Sequence, residues 1–250
     1  MRRKLAAGNW KMNGTGANLA ELDALMAAHP TPKSDLLICP PATLIHSAAK
    51  RTANHPLQIG GQDCHAATSG AHTGDISAQQ LQDAGATAVI LGHSERRTDH
   101  SEDSEDIREK ARSAQAAGLR TIICLGESLT QRKAQNTLDI IAAQLALSTP
   151  DTSNGENLVI ADEPIWAIGT RIVPSQNQIG EVHDFIRTNL ERRFGAGVGR
   201  SVPLLYGGSV KPDNAADIFT VSNVDGALVG GASLTATDFS PIIQALESSN

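Results

Sequence analysis

Eight short apolar runs punctuate the chain from end to end: KLAAGN (4–9), DLLIC (35–39), LQIGG (57–61), TAVILG (87–92), RTIICL (120–125), NLVIAD (157–162), VPLLYG (202–207) and VDGALVG (224–230). Each run is continuous rather than alternating, which is the pattern of strands buried on both faces. The stretches between them have polar faces and helical spacing. Residues 101–118 open with acids, carry Arg and Lys later and close on Gly118, the charge order a helix dipole favours with a glycine as C-terminal stop. Residues 129–147 place Leu138, Ile141 and Leu145 on one face, and 178–195 do the same with Val182, Phe185, Ile186 and Leu190. Strands alternating with helices predict right-handed βαβ units and an all-parallel sheet. Eight such units in a chain of 250 residues fit a closed (β/α)8 barrel, with a doubly wound open sheet as the alternative. No linker, repeat or shift in composition interrupts the pattern, so residues 1–250 are read as a single domain.

Composition adjusts this picture in small ways. Aromatics make up only 3% of the residues against 40% hydrophobic overall, so the core is expected to be aliphatic. The net charge of −6 and the lack of a basic stripe argue against nucleic acid as a partner, while leaving room for a local site that takes a small anion. Three cysteines (Cys39, Cys64 and Cys124) are an odd number at spacings that match no metal pattern, which predicts free thiols in a reducing compartment. The first residues lack the apolar segment of a signal peptide, and no run approaches the ~18 apolar residues of a membrane span. The expected location is therefore the cytoplasm.

A barrel gathers its chemistry at the C-terminal ends of its strands. Asn9 and Lys11, two positions apart after the first run, share a face and bring an amide and a cation; an ordinary surface lysine is the competing reading. His93 leaves the fourth run just before Ser94 and Glu95, which are placed to start a helical turn. A helix N-terminus disfavours an imidazolium, so His93 is expected to be a neutral donor, or else a hydrogen-bonded structural histidine. Glu163 follows the sixth run, where partial burial makes a carboxylate a better base unless a neighbouring cation pairs with it. Asp162, its neighbour, points the other way, towards the helix layer. The glycine pairs in YGGSV (206–210) and VGGAS (229–233) offer backbone N–H groups to a phosphate, or simply make tight turns. No metal-ligand spacing and no dinucleotide fingerprint stands out. One base, one neutral electrophile, one cation and a phosphate cradle suit proton abstraction next to a carbonyl on a small phosphorylated substrate, with no metal or cofactor.

The motifs GNWKMNG, GAHTGDIS, VILGHSERR, EPIWAIGT, YGGSVKPDNAAD and VDGALVGGASL occur in order between residues 8 and 234. Together they resemble the triosephosphate isomerase family over nearly the whole chain. The resemblance implies a cofactor-independent, intramolecular aldose–ketose isomerase that interconverts D-glyceraldehyde 3-phosphate and dihydroxyacetone phosphate through an enediolate. It implies that Glu163 is the base and His93 the neutral electrophile. Lys11 and Asn9 would bind substrate, and Glu95 would pair with Lys11. Gly169, Ser209, Gly230 and Gly231 would grip the phosphate, and the segment after Glu163 would be a lid. Residues 62–77 resemble the loop that enters a neighbouring subunit, so that Thr73 reaches the partner's site and the protein is a homodimer. Three features depart from the family pattern: Asp162 where a Tyr is usual, Arg171 where the lid usually has Gly, and Ile172-Val173-Pro174 in place of a polar hinge. Lid closure is therefore where this chain is expected to differ. An isomerase of tetrose or tetrulose phosphates and a non-catalytic phosphosugar-binding barrel are the alternatives. The joint presence of Asn9, Lys11, His93 and Glu163 weighs against the second, because a mere binder needs only the phosphate cradle.

Overall fold

A computed structural model describes residues 2–168 and 172–249; Gly169 and Arg171, both singled out above, lie outside this set. All eight expected strands form: β1 (Leu5–Asn9), β2 (Asp35–Cys39), β3 (Gln58–Gly61), β4 (Ala88–Leu91), β5 (Arg120–Leu125), β6 (Leu158–Asp162), β7 (Leu204–Tyr206) and β8 (Gly226–Val229). They pair in parallel in sequence order, and β1 pairs with β8, so the barrel is closed.

Strand parity divides the core into two. Leu5, Ala7, Leu37, Cys39, Ala88, Ile90, Ile122, Cys124, Val159, Ala161, Leu205 and Leu228 fill the barrel interior. The intervening positions, such as Ala6, Leu36, Leu158 and Ile160, face outward and pack under helices. Because side chains alternate with period two, the parity continues past each strand end. It carries Asn9, Lys11, Glu163, Gly207 and Gly230 to the mouth of the barrel, and it sends Asp162 outward.

The helices follow their predicted faces with two corrections. The segment read as one helix over 129–147 is two, Leu129–Lys133 and Thr137–Ser148. Gln135 adopts a left-handed φ of 59° between them, and Ser128 caps the first through a hydrogen bond from the Gln131 N–H. Ile141 and Leu145 are buried as expected, while Leu138 is partly buried against the same core. The segment read as 178–195 extends over Gln176–Ser201 and is broken at Gly195, where φ is 79° and ψ 157°. The helix expected in 101–118 spans Ser104–Ala116: the Asp103 carboxylate accepts from the N–H groups of Glu105 and Asp106, and Gly118 at φ 81° ends it. The three cysteines are buried and free. Among the described residues, no helix is long and apolar enough to cross a membrane.

Candidate active site

A cleft of about 720 Å³ opens at the C-terminal mouth of the barrel, lined by Asn9, Lys11, His93, Glu163, Ser209, Gly230 and Gly231 among others. Three strands and two glycine turns, far apart in sequence, thus meet at one opening.

Lys11 sits in the left-handed region at φ 52°, a costly conformation for a non-glycine residue. Two hydrogen bonds hold it there: its N–H donates to Asn9 Oδ1 at 2.9 Å, and Gln62 Nε2 donates to its carbonyl at 2.8 Å. The turned backbone sends the ammonium across the cleft to Glu95 Oε1 at 2.5 Å. Backbone strain that is locally over-determined in this way clusters at binding and catalytic sites in proteins generally.

His93 reaches the cleft because Gly92 breaks the alternation of β4. Gly92 has φ 66°, and a Cβ there would stand 2.6 Å from Ile107 Cδ1. His93 then caps the helix Ser94–Asp99 through its side chain: Nδ1 accepts from the Glu95 N–H at 3.2 Å. An accepting Nδ1 carries no proton, so in the neutral ring Nε2 carries it. Nε2 faces Glu163 Oε1 at 3.1 Å. The other carboxylate oxygen, Oε2, accepts from the Ser94 N–H at 3.2 Å. Arg97 braces the ends of β4 and β5 by donating to the carbonyls of Gly92 and Cys124.

Glu163 is only 2% exposed, and glycines border it on both sides. A Cβ on Gly126 would lie 1.8 Å from the Glu163 carbonyl oxygen, and one on Gly207 would lie 2.6 Å from Glu163 Cγ. Gly207→Ala should therefore push the carboxylate off its line. We expect kcat to fall about tenfold, with a stability loss of about 1–3 kcal/mol. Steady-state kinetics and thermal melts check this, and unchanged kinetics would show that Glu163 has room to shift. Cys124, near the end of β5, lies beside Glu163. Burial pushes its thiol pKa up, and the negative charge of Glu163 pushes it the same way.

Ser209, Gly230 and Gly231 line the same cleft, at the ends of β7 and β8. Gly231–Ser233 is a single 3-10 turn, and the first N–H groups of a helical turn have no partner within it. A Cβ on Gly231 would meet nothing within 4 Å, so a ligand can approach this backbone closely. Thr73 lies elsewhere, on a loop closed at its base by the His65–Ser77 bridge and exposed throughout residues 68–75.

That loop also gathers His65, His72 and Asp75, whose ligand atoms lie within 4.8 Å of one another although no metal-ligand spacing stands out in the sequence. His65 Nδ1 already accepts from the Ala67 N–H at 2.9 Å, so its Nε2 presents a proton, not a lone pair, to Asp75 Oδ2 at 3.8 Å. Metal-binding imidazoles have the reverse arrangement.

Sequence reading overlooked the Ser94 N–H and Gln62 as supports of the site. Ser94 follows His93 at the helix start, which was the available signal; Gln62 offered none. Taken together, the cleft can remove a proton from carbon with Glu163, supply one to oxygen from His93 and balance negative charge with Lys11.

Known proteins match this chain over nearly its whole length. The family model described as "Triosephosphate isomerase" matches residues 4–246. The triosephosphate isomerase of Ruegeria pomeroyi is 64% identical over 247 residues, covering 99% of this chain and 98% of that protein. That of Rhodopseudomonas palustris is 54% identical over 241 residues, or 95% of each. A crystal structure of triosephosphate isomerase from Bartonella henselae superposes with a TM-score of 0.92 at 45% identity, covering 97% of this chain and 98% of that one.

Proposed function

The chain belongs to the triosephosphate isomerase family, and on that premise we propose how its residues divide the interconversion of D-glyceraldehyde 3-phosphate and dihydroxyacetone phosphate. Glu163 takes the proton from the carbon beside the carbonyl; the C–H pair becomes a carbon–carbon double bond, and the carbonyl π pair moves onto the oxygen. His93, through Nε2–H, donates to that oxygen and recovers a proton from the neighbouring hydroxyl, so the enediolate forms and collapses without a free charged imidazole. Glu163 then returns its proton to the adjacent carbon. Lys11 balances the negative charge on the enediolate, Asn9 hydrogen-bonds the same oxygens, and Glu95 holds Lys11 in place. Ser209, Gly230 and Gly231 take the phosphate on backbone N–H groups. Gly169 is assigned to the same task on resemblance alone.

The observation that carries this reading is the contact of Glu163 Oε1 with His93 Nε2 at 3.1 Å, a carboxylate and an imidazole nitrogen side by side at the barrel mouth. The test is isomerisation of triose and tetrose phosphates by the purified protein. Triose turnover should exceed tetrose turnover by about tenfold or more. A folded protein without triose turnover would sink the assignment, and a preference for tetrose would redirect it.

The working form is proposed to be a homodimer in the cytoplasm. Three free, buried thiols fit a reducing compartment. The exposed 68–75 tip and Met12, 96% exposed beside Lys11, are the surfaces a second copy would cover, with the partner copy's loop tip seated against Met12 and Lys11. Thr73→Arg should then shift the protein to monomer in light scattering and lower turnover by about tenfold or more, because Lys11 loses its outer support. A variant that stays dimeric at full activity would remove Thr73 from the interface.

A further inference from the structure

Behind the barrel wall, on the outward face of β6, four buried polar atoms lack a partner among the described residues: Asp162 Oδ1, Glu127 Oε2, His183 Nε2 and Tyr206 Oη. They come from four separate stretches of chain. Asp162, Glu127 and Tyr206 line one void of about 10 Å³, together with Arg132, Trp166 and Pro174. That volume is about the size needed for a single water. His183 Nε2 stands 3.9 Å from Asp162 Oδ2.

Counting donors and acceptors shows what the cluster lacks. His183 Nδ1 lies 3.0 Å from the Asn223 carbonyl and must donate to it, so Nε2 is left as an acceptor. Burial lowers the His183 pKa to about 4, which keeps the ring neutral. Glu127 Oε1 already accepts from Trp166 Nε1 at 2.9 Å. Arg132 lies beyond hydrogen-bond range, with Nη1 3.9 Å from Glu127 Oε1 and Nη2 3.7 Å from Glu181 Oε2. With both carboxyls ionised, Asp162 Oδ1, Glu127 Oε2 and His183 Nε2 would all be acceptors, and the Tyr206 hydroxyl would be the one protein donor among the four unpartnered atoms. A proton on Asp162 turns one of those acceptors into a donor and relieves the conflict. Burial pushes the Asp162 carboxyl well above the usual range, and the negative charges of Glu127 and Glu163 push it further against a smaller opposing pull from Arg132.

We propose that Asp162 is a positioning residue that works as a buried carboxylic acid, its proton keeping a second negative charge away from Glu127 across the void and so leaving Glu127 to hold the start of the segment that follows Glu163. Glu127 holds the start of that segment twice, through Trp166 Nε1 and through its carbonyl, which accepts from the Ile165 N–H at 3.1 Å. Pro174, at the far end of the segment, lines the same void. Losing the proton would set a second carboxylate beside Glu127 and next to Glu163 in a space where water cannot screen them. The consequence for turnover rests on Glu163 being the base; the proton on Asp162 does not.

The experiment therefore reads the proton directly. An infrared difference spectrum of wild type against Asp162→Asn near neutral pH should show a protonated-carboxyl band that is lost in the variant and kept in Glu127→Gln. Only carboxylate bands for Asp162 would overturn the proposal. Stability against pH is the second readout. The folded-state pKa is raised, so wild type is most stable below the ordinary aspartate range and loses stability as pH climbs through the folded value. Asp162→Asn lacks that loss, so its melting temperature should gain on wild type steadily across the same range. Glu127→Gln, which removes the neighbouring charge and so shrinks the shift, should lose less than wild type on the same climb. Melting-temperature gaps that stay constant with pH in both variants would mark a purely structural role and overturn the proposal. On the alkaline side kcat of Asp162→Asn should exceed that of wild type by about threefold with little change in KM. Parallel kcat profiles would remove the coupling to turnover while leaving Glu163 as base untouched.

Discussion

Shortening Glu163 by one methylene in Glu163→Asp should lower kcat by about 10²-fold or more while KM stays within a few-fold. The carboxylate is fixed at both oxygens, by His93 Nε2 at 3.1 Å and the Ser94 N–H at 3.2 Å, and its stem passes between Gly126 and Gly207. An aspartate on the same backbone stops short by about a bond length, and nothing in this tight setting lets the strand advance to compensate. Neither the phosphate wall nor Lys11 changes, so binding should persist. Steady-state kinetics on both substrates, with a melt to confirm folding, decide the matter. A loss below tenfold would mean that another group takes the proton.

Lys11→Met ranks next, with kcat/KM expected to fall about 10³-fold. Nearly isosteric methionine keeps the side-chain volume and the left-handed backbone, so the change removes charge and little else. The chain as a whole is negative, at −6, and Lys11 brings a positive charge to the cleft that Glu163 and His93 also line. Stability should move by less than about 1 kcal/mol, because the lost ion pair has a half-exposed partner in Glu95. Near-normal turnover in Lys11→Met would show that backbone N–H groups suffice to carry the enediolate's charge.

Much of this was legible in the sequence, for a physical reason: a strand buried on both faces reads as an uninterrupted apolar run, and period-two parity then tells which residue beyond it faces the barrel axis. Asn9, Lys11 and Glu163 follow from that rule, and Asp162 facing the helices is its counterpart. His93 does not follow from parity, since Gly92 resets it; the nearby helix start located it instead. What escaped the reading depends on encounters between distant segments. The break between residues 133 and 137 turns on a left-handed glutamine, which no propensity marks. Glu127, His183 and Tyr206 meet Asp162 from three other parts of the chain, so their shared shortage of donors has no local signature. The closeness of Cys124 to Glu163 had no signal in the sequence, because Glu163 is supplied by the next strand.

Closure of the barrel has a consequence in time. Trp10 donates from Nε1 to the carbonyl of Ser233, 223 positions away, and β1 is hydrogen-bonded to β8 only once the chain has run its full course. Lys11 rides on the end of β1, and Gly230 on the end of β8. A ribosome-bound chain lacking its last segment can hold Glu163 and His93 but has neither the final wall of the cleft nor the partner strand that fixes β1. Contacts of such separation form late, after most of the loop entropy has been lost. Catalysis should therefore appear only after β8 has paired with β1, and a nascent chain should be silent up to that moment.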